Sequence, residues 1–406
     1  MNYLTNHPKF LQFIGLLVVF LSLCLFIEPS ENNIFWRLPA LFKDIPFIIN
    51  DSVQYLMYEW MPIEVYDPEI EDFEQKPLFR ELTRSISSAI LFIIMVVRDI
   101  FLGGVNTIVS FTSWDFVNEN KWAHWPGLPW TVIAGGAVIL GYKLQGKGLA
   151  LLAAFSTIYI SVFGQWKPAL ETLSLVLVAA PVSVILGLVL GVWGFRNKTV
   201  EAALQPLLNV AQTMPHYSYL VPVLVLFGVG DHAGAIATII FATPPMVRLT
   251  LLGLKNVSPE VVEAGMMNGC TNFQLLFKVL IPTARHDILI GVNQVIMQCL
   301  AMTVIASFIG AQGLGSHLMV ALNALRVGVG IEIGVCIVLI AVMLDKLSLA
   351  WANKQTDYFA DLTFIERYRY SLLFLVIILV GSFLAYIGTF FFKEGFNYLY
   401  IVPHNK

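Results

Sequence analysis

Long apolar runs, repeated along almost the whole chain and separated by loops carrying Lys and Arg, restrict this sequence to one class of fold. A helix needs about 20 mostly apolar residues to cross the hydrocarbon layer. Nine stretches read as such helices: 10–27, 128–143, 147–165, 170–195, 206–228, 232–252, 287–309, 329–349 and 371–392. The expected fold is therefore all-α and polytopic, with about nine transmembrane helices. Composition agrees. A soluble domain carries roughly a quarter of its residues as Asp, Glu, Lys and Arg. Here the charged share is 13% and the hydrophobic share 57%, with a mean hydropathy of +0.75. A net charge of −3, without any Lys/Arg block, argues against a nucleic-acid partner. Cys24, Cys270, Cys299 and Cys336 are scattered with no CxxC pair, so neither a disulfide framework nor a metal site is expected.

Orientation follows from the placement of Lys and Arg, which favour cytoplasmic loops. Lys143 and Lys147, Arg196 and Lys198, Lys255, Lys278 and Arg285, and Lys346 and Lys354 all fall on one side if the nine helices alternate. That side is read as cytoplasmic, which puts the N-terminus inside. The segments are then a membrane anchor at 1–27, an external stretch at 28–127, two accessory helices at 128–167, a core at 168–352 containing a cytoplasmic loop at 255–284, and a C-terminal extension at 353–406 with one helix. The run 86–109 opens with apolar Ile86–Val97, but Arg98 and Asp99 interrupt it. A charge at the bilayer centre costs about 2.5–3.5 kcal/mol on the gentlest scale. The run is therefore read as an interfacial amphipathic helix.

The most informative loop follows the sixth apolar run. Ser258-Pro259-Glu260 has the form of a helix start: an N-cap, proline at the first helical position and an acid in the first turn. A short helix is expected to end at Gly269 in a left-handed conformation. A second, Asn272–Leu280, is expected to stop at Pro282. Between them runs Glu263-Ala264-Gly265, three residues, Gly269, nine residues, then Val279-Leu280-Ile281-Pro282. This spacing resembles the EAA loop of binding-protein-dependent ABC permeases, with Gly265 in place of the second alanine. Residues 168–352 extend the likeness to the permeases of glycine betaine/proline transporters. They carry Gln212-Thr213-Met214-Pro215, Tyr219-Leu220-Val221-Pro222, Pro244-Pro245-Met246-Val247-Arg248, Gly291-Val292-Asn293-Gln294 and Ile309-Gly310-Ala311-Gln312-Gly313-Leu314-Gly315 in the family's order.

The resemblance implies a type I importer core of five helices and a cytoplasmic coupling helix. Glu263, Ala264, Gly265, Gly269 and Pro282 would contact a separate ATP-binding subunit. It further implies an extracytoplasmic substrate-binding protein, a permease homodimer embedded in membrane lipid, and the cytoplasmic (inner) membrane of a prokaryote. The cargo would be a betaine-like quaternary or methylated amine. ATP and magnesium would bind the partner ATPase, with no cofactor in this chain. Gly141-Tyr142-Lys143-Leu144-Gln145-Gly146-Lys147-Gly148 imitates a phosphate-binding loop but ends in glycine where Ser or Thr is needed.

A substrate path is expected where helices are interrupted. Pro215 and Pro222 interrupt the run 206–228, where Gln212, Thr213, Met214, Pro215, Tyr217 and Tyr219 are path candidates. Asn293, Gln294, Met297 and Met302 form a polar and sulfur-bearing stripe on the run 287–309. Packing between helices is the alternative for both sets. Ile309, Gly310, Gly313 and Gly315 are gate candidates. An ion-coupled secondary transporter is the competing mechanism. It would call for paired mid-membrane acids and an internal repeat, and the sequence presents neither.

Overall fold

The computed structural model describes residues 51–52, 54–55, 59, 62–67, 72–103 and 130–352. The expected helices at 10–27 and 371–392 lie outside them. Five described helices are long and apolar enough to cross a membrane: Leu78–Leu102, Trp166–Arg196, Asp231–Lys255, Arg285–Ile309 and Val327–Ala352. The chain is thus helical and multi-pass, while the count of nine is not reproduced among the described residues.

Two strands, β1 (Pro62–Asp67) and β2 (Asp72–Pro77), pair antiparallel from Pro62 opposite Pro77 to Asp67 opposite Asp72. The hairpin belongs to a unit, Met1–Leu82, that is separate from the helical bundle.

Helix α1 (Leu78–Arg98) begins eight residues before the apolar run recognised in the sequence and continues through a π turn at Asp99–Gly103. Arg98 therefore falls at the end of an apolar helix instead of in its middle. Ile94 is buried, and with Ile90 and Val97 it packs on Leu175, Val178, Ala235, Ala306 and Ala311.

Helices α2 (Trp130–Gln145) and α3 (Lys147–Val162) form a hairpin of two 16-residue helices. Then come α4 (Trp166–Arg196), α5 (Lys198–Thr213), α6 (Tyr217–Phe227), α7 (Asp231–Lys255) and the short α8 (Pro259–Met267). The chain ends its described part with α9 (Arg285–Ile305), α10 (Leu314–Asn323) and α11 (Val327–Ala352). The α2–α3 hairpin lies on α11, with Leu149 and Ala153 against Met343, Leu347 and Ala350.

The centre of the bundle is α7 between α4 and α9. Lipid tails are as apolar as leucine, so helices in a bilayer associate through close van der Waals packing, not through escape from water. Small residues supply that approach. A Cβ at Gly187 would lie 2.4 Å from Met246 Cβ, one at Gly191 2.6 Å from Thr250 Cβ, and one at Gly291 2.8 Å from Met246 Sδ. Several buried hydroxyls bond within their own helix. Ser174, Ser183, Thr238 and Thr243 each donate to the carbonyl four residues earlier, so none enters the apolar interior unpaired.

Candidate functional site

Three features stand out: a surface loop at one end of the bundle, a helix break near its middle, and a charged junction at the opposite end.

The loop begins as the residue pattern requires. Ser258 is the extended N-cap of α8 and Pro259 its first residue. The Glu260 carboxyl is held below the usual carboxylate range, chiefly by its own backbone N–H and then by the Ser258 side chain. Gly269, at φ 75°, provides the left-handed exit. There the N–H of Gly269 donates to Met266 O (2.9 Å) and that of Cys270 to Gly265 O (3.2 Å). The second helix departs from expectation. Thr271 and Gln274 form a capping box at Asn272–Gln274, a π-helix follows at Leu275–Leu280, and helical structure runs on through Ile281–Thr283. Pro282 does not stop it, because a proline in the first turn of a new α segment sacrifices an N–H that has no partner there.

Glu263 and Ala264 are exposed on α8, as are Gly269 and Pro282. Gly265 is buried, and a Cβ on it would meet Leu275 Cδ1 at 2.8 Å and Val279 Cγ2 at 3.2 Å. Gly265 is therefore the point at which the second helix leans on the first. The same surface exposes Met267 (88%) and a ring pair the sequence reading did not single out, Phe273 and Phe277, with centroids 4.5 Å apart. Their spacing of four residues on a helix was the available signal.

The run 206–228 is not one helix. It divides into amphipathic α5 and the 11-residue α6, with Met214 in extended conformation between them. Two side-chain bridges lay α5 antiparallel along α7: Lys255 to Glu201, and Arg248 Nη2 donating to Asn209 Oδ1 at 2.8 Å. Arg248 is thus tied to a neighbouring helix. The break comes level with Phe241, the eleventh of 25 residues in α7, since His216 and Tyr219 lie 4.5 and 5.5 Å from its ring. Tyr219 is buried and its hydroxyl donates to Ala211 O across the break. An open apolar pocket of about 400 Å³, lined by Pro206, Leu207, Val210, Ala211, Met214 and Tyr219, adjoins it.

The path candidates separate into distinct environments. Gln212, Thr213, Met214, Pro215 and Tyr217 are exposed together at the break. Gln294 is exposed and Met297 half-buried on α9. Met302 is fully buried with Tyr219, Phe241 and Ile309, so in this conformation it packs the core and lines no path. Asn293 turns toward α11: its Nδ2 donates to Asp345 Oδ1 (3.2 Å) and its Oδ1 accepts from the Ser348 hydroxyl. That polar pairing is interhelical packing.

At the far end of α7, Asp231 joins three elements. Its Oδ2 accepts from Arg98 Nη1 of α1 (3.1 Å), and its Oδ1 accepts the Gln312 backbone N–H (2.7 Å). Gln312 lies in the glycine-rich turn between α9 and α10. Against that turn the N–H of Gly230, the N-cap of α7, donates to Ile309 O (2.9 Å), and within it the Leu314 N–H donates to Thr172 Oγ1 (2.9 Å). Gly310, at φ 87°, packs against Val229, Gly313 against Thr172, and Gly315 against the Val304 carbonyl. The four gate candidates thus occupy one packed junction, with Ile309, Gly313 and Gly315 buried and Gly310 exposed. Arg98 and Asp231 were missed as partners because 133 residues separate them.

Comparison with known proteins adds to this geometry. Residues 183–396 match the family described as "Binding-protein-dependent transport system inner membrane component". The trimethylamine N-oxide transport system permease protein of Pelagibacter ubique is 53% identical over 100% of this chain and 61% of its own length. The corresponding protein of Ruegeria pomeroyi is 43% identical over 70% of this chain and 42% of its own length. The glycine betaine transport system permease protein of Bacillus subtilis is 41% identical over 52% of this chain and 74% of its own length. The chain thus spans less than two thirds of the two trimethylamine N-oxide relatives. Among solved structures, an inward-facing MetNI methionine ABC transporter matches at TM-score 0.43 and 19% identity, covering 48% of this chain and 98% of that one.

Proposed function

The chain belongs to the binding-protein-dependent transport system inner membrane components, and from that membership we propose that it is the permease subunit of an ATP-driven importer for a small betaine-like solute, a quaternary or methylated amine. The observation that carries this reading is the shape of the α8 loop. Glu263 and Ala264 point outward and Gly265 points inward against the second helix, which presents a rigid, two-helix surface suited to docking on another protein. The cargo class rests on the relatives, whose names specify trimethylamine N-oxide and glycine betaine.

In this reading the Lys- and Arg-bearing end, with Arg196, Lys198, Lys255 and Lys278, faces the cytoplasm, and α8 couples the permease to a separate ATP-binding subunit that holds ATP and magnesium. Gly141–Gly148 covers the end of α2, the linking Gly146 and the start of α3, which supports its being a cytoplasmic hairpin and not a nucleotide site. An extracytoplasmic binding protein delivers the solute to the Asp231 end, and a second permease copy completes the path in the lipid bilayer. Leu78–Leu102 is an additional span, because Arg98, at its end, is neutralised by Asp231. Broken helices at mid-depth build substrate sites in transporters, and the α5–α6 break supplies one, with Gln212, Thr213, Met214, Pro215 and Tyr217 on its exposed side. The glycine junction at 309–315 closes the outer end.

The test is uptake into proteoliposomes containing the chain with its nucleotide-binding subunit and binding protein. Solute should accumulate only when ATP is supplied. Glu263→Ala and Gly269→Asp should each lower uptake at least tenfold while ATP hydrolysis continues and membrane insertion is unchanged. Accumulation without ATP, driven by an ion gradient, would replace this reading with ion-coupled transport.

A further inference from the structure

The two sides of the α5–α6 break differ in kind. On one, His216 and Tyr219 pack on Phe241, and Tyr219 is only 7% exposed. On the other, the rings of Tyr217 and Phe308 meet with centroids 5.3 Å apart and planes at 80°, and they are 55% and 54% exposed. The rings belong to separate elements. Tyr217 opens α6, directly after the extended Met214 and the turn at His216. Phe308 sits in the 3-10 turn Ala306–Ile309, which ends in left-handed Gly310.

Both rings therefore flank irregular backbone: Tyr217 adjoins the break about half-way along the bundle, and Phe308 lies between that level and the glycine turn at the Asp231 end. Helix α6 has 11 residues, so Tyr217 lies about 15 Å from its far end, half of a hydrocarbon layer about 30 Å thick. At such depth, irregular backbone is tolerated only against protein or a water-filled cavity, since lipid leaves exposed N–H and C=O groups unpaired. The corner formed by these rings accordingly faces a path or a neighbouring subunit and not acyl chains.

Two ring planes set almost at right angles make a two-walled corner. A quaternary ammonium head has no N–H to donate, so hydrogen-bond acceptors hold it poorly. Aromatic faces within about 6 Å attract it through their negative quadrupole. We infer that Tyr217 and Phe308 form a transient binding corner, between the α5–α6 break and the Asp231 end of the path, for the methylated ammonium head of the cargo. This inference rests on the reading of the chain as an importer permease. With only two walls the corner holds the head weakly, which suits a path whose occupant must leave again.

The experiment uses the full transporter in proteoliposomes, with glycine betaine as the probe. If the wild-type assembly shows no ATP-dependent uptake of glycine betaine or trimethylamine N-oxide, the importer reading itself fails. Given such uptake, Tyr217→Leu and Phe308→Leu should each slow it about fivefold, while Tyr217→Phe and Phe308→Tyr keep most of the rate. Mono-, di- and trifluorinated phenylalanine incorporated at position 308 should give a graded decline, because each fluorine draws density from the ring face while its shape hardly changes. A flat response across the fluorinated series overturns the corner, even where a leucine variant assembles poorly. Loss of the two-copy assembly in the leucine variants with a flat fluorine series would make the rings a subunit contact, and the binding corner would again be refuted.

Discussion

Asp231 satisfies a guanidinium with one carboxylate oxygen and a backbone N–H with the other, and the two partners can be separated by substitution. Asp231→Ala removes both acceptors and should lower stability by about 2 kcal/mol, since it strands a partly buried charge and an N–H. Asp231→Asn keeps an acceptor for Gln312 and should lose about half of that. The exchange Arg98→Asp with Asp231→Arg restores the ion pair but presents no acceptor to Gln312, so it should remain close to Asp231→Asn. Thermal unfolding of the purified protein in detergent checks the series, and an exchange variant as stable as wild type would show that the backbone bond contributes nothing. Gly265 carries a similar lesson. As a departure from the family's alanine it reads only as a helix weakened by about 1 kcal/mol, yet its neighbours are the ends of Leu275 and Val279. Glu260 supplies a pH dependence. Its pKa is depressed, so its contribution is present above the ordinary carboxylate pKa of about 4.3 and disappears as pH falls through the lower folded value. Protection of the backbone N–H groups of residues 260–262 against hydrogen exchange should fall below about pH 4, and Ser258→Ala should move that onset upward.

Among the elements, α7 shows why spacing of small residues matters more than hydrophobicity within a bundle. Gly191 has Thr250 Cβ and the Val247 carbonyl at 2.6 and 3.1 Å from a built Cβ, and backbone cannot step aside as a flexible side-chain end can. Gly191→Ala should therefore cost about 1–3 kcal/mol by forcing α4 from α7. Gly148, in α3, and Gly334, in α11, have nothing within 4 Å of the same position. Alanine there should be neutral or stabilising by up to about 1 kcal/mol. Melting temperatures of the three variants in one detergent decide the matter, and equal values would refute the close-packing account. The break between α5 and α6 belongs to this scale too. Pro215 and Pro222 marked the interruption, but the proline at 222 lies inside α6 and the chain opens at 214–216. Proline shows that a hydrogen bond is missing, while neighbouring packing decides whether the helix bends or parts.

For the whole molecule, the consequential difference concerns Leu78–Leu102. Read alone, Arg98 and Asp99 argue against a place in the bilayer; the structure pairs Arg98 with Asp231 across the bundle, which offsets the larger part of that argument. If it spans with its Leu78 end in the cytoplasm, Leu82→Cys in a cysteine-free background should react with a membrane-impermeant maleimide only after the membrane is opened, whereas Lys167→Cys should react in intact cells. Labelling of both in intact cells would return the segment to the outer surface. The sequence by itself determined that the chain is a multi-span helical protein with an exposed loop of Glu263–Pro282 type, because apolar length and capping residues act locally and are read within a few turns. Tertiary structure alone decided that Arg98 belongs with Asp231, that Gly265 is a contact point, that Met302 is core, and that Tyr217 meets Phe308. Each depends on residues far apart in the chain but adjacent in the bundle, and neither periodicity nor spacing carries that adjacency.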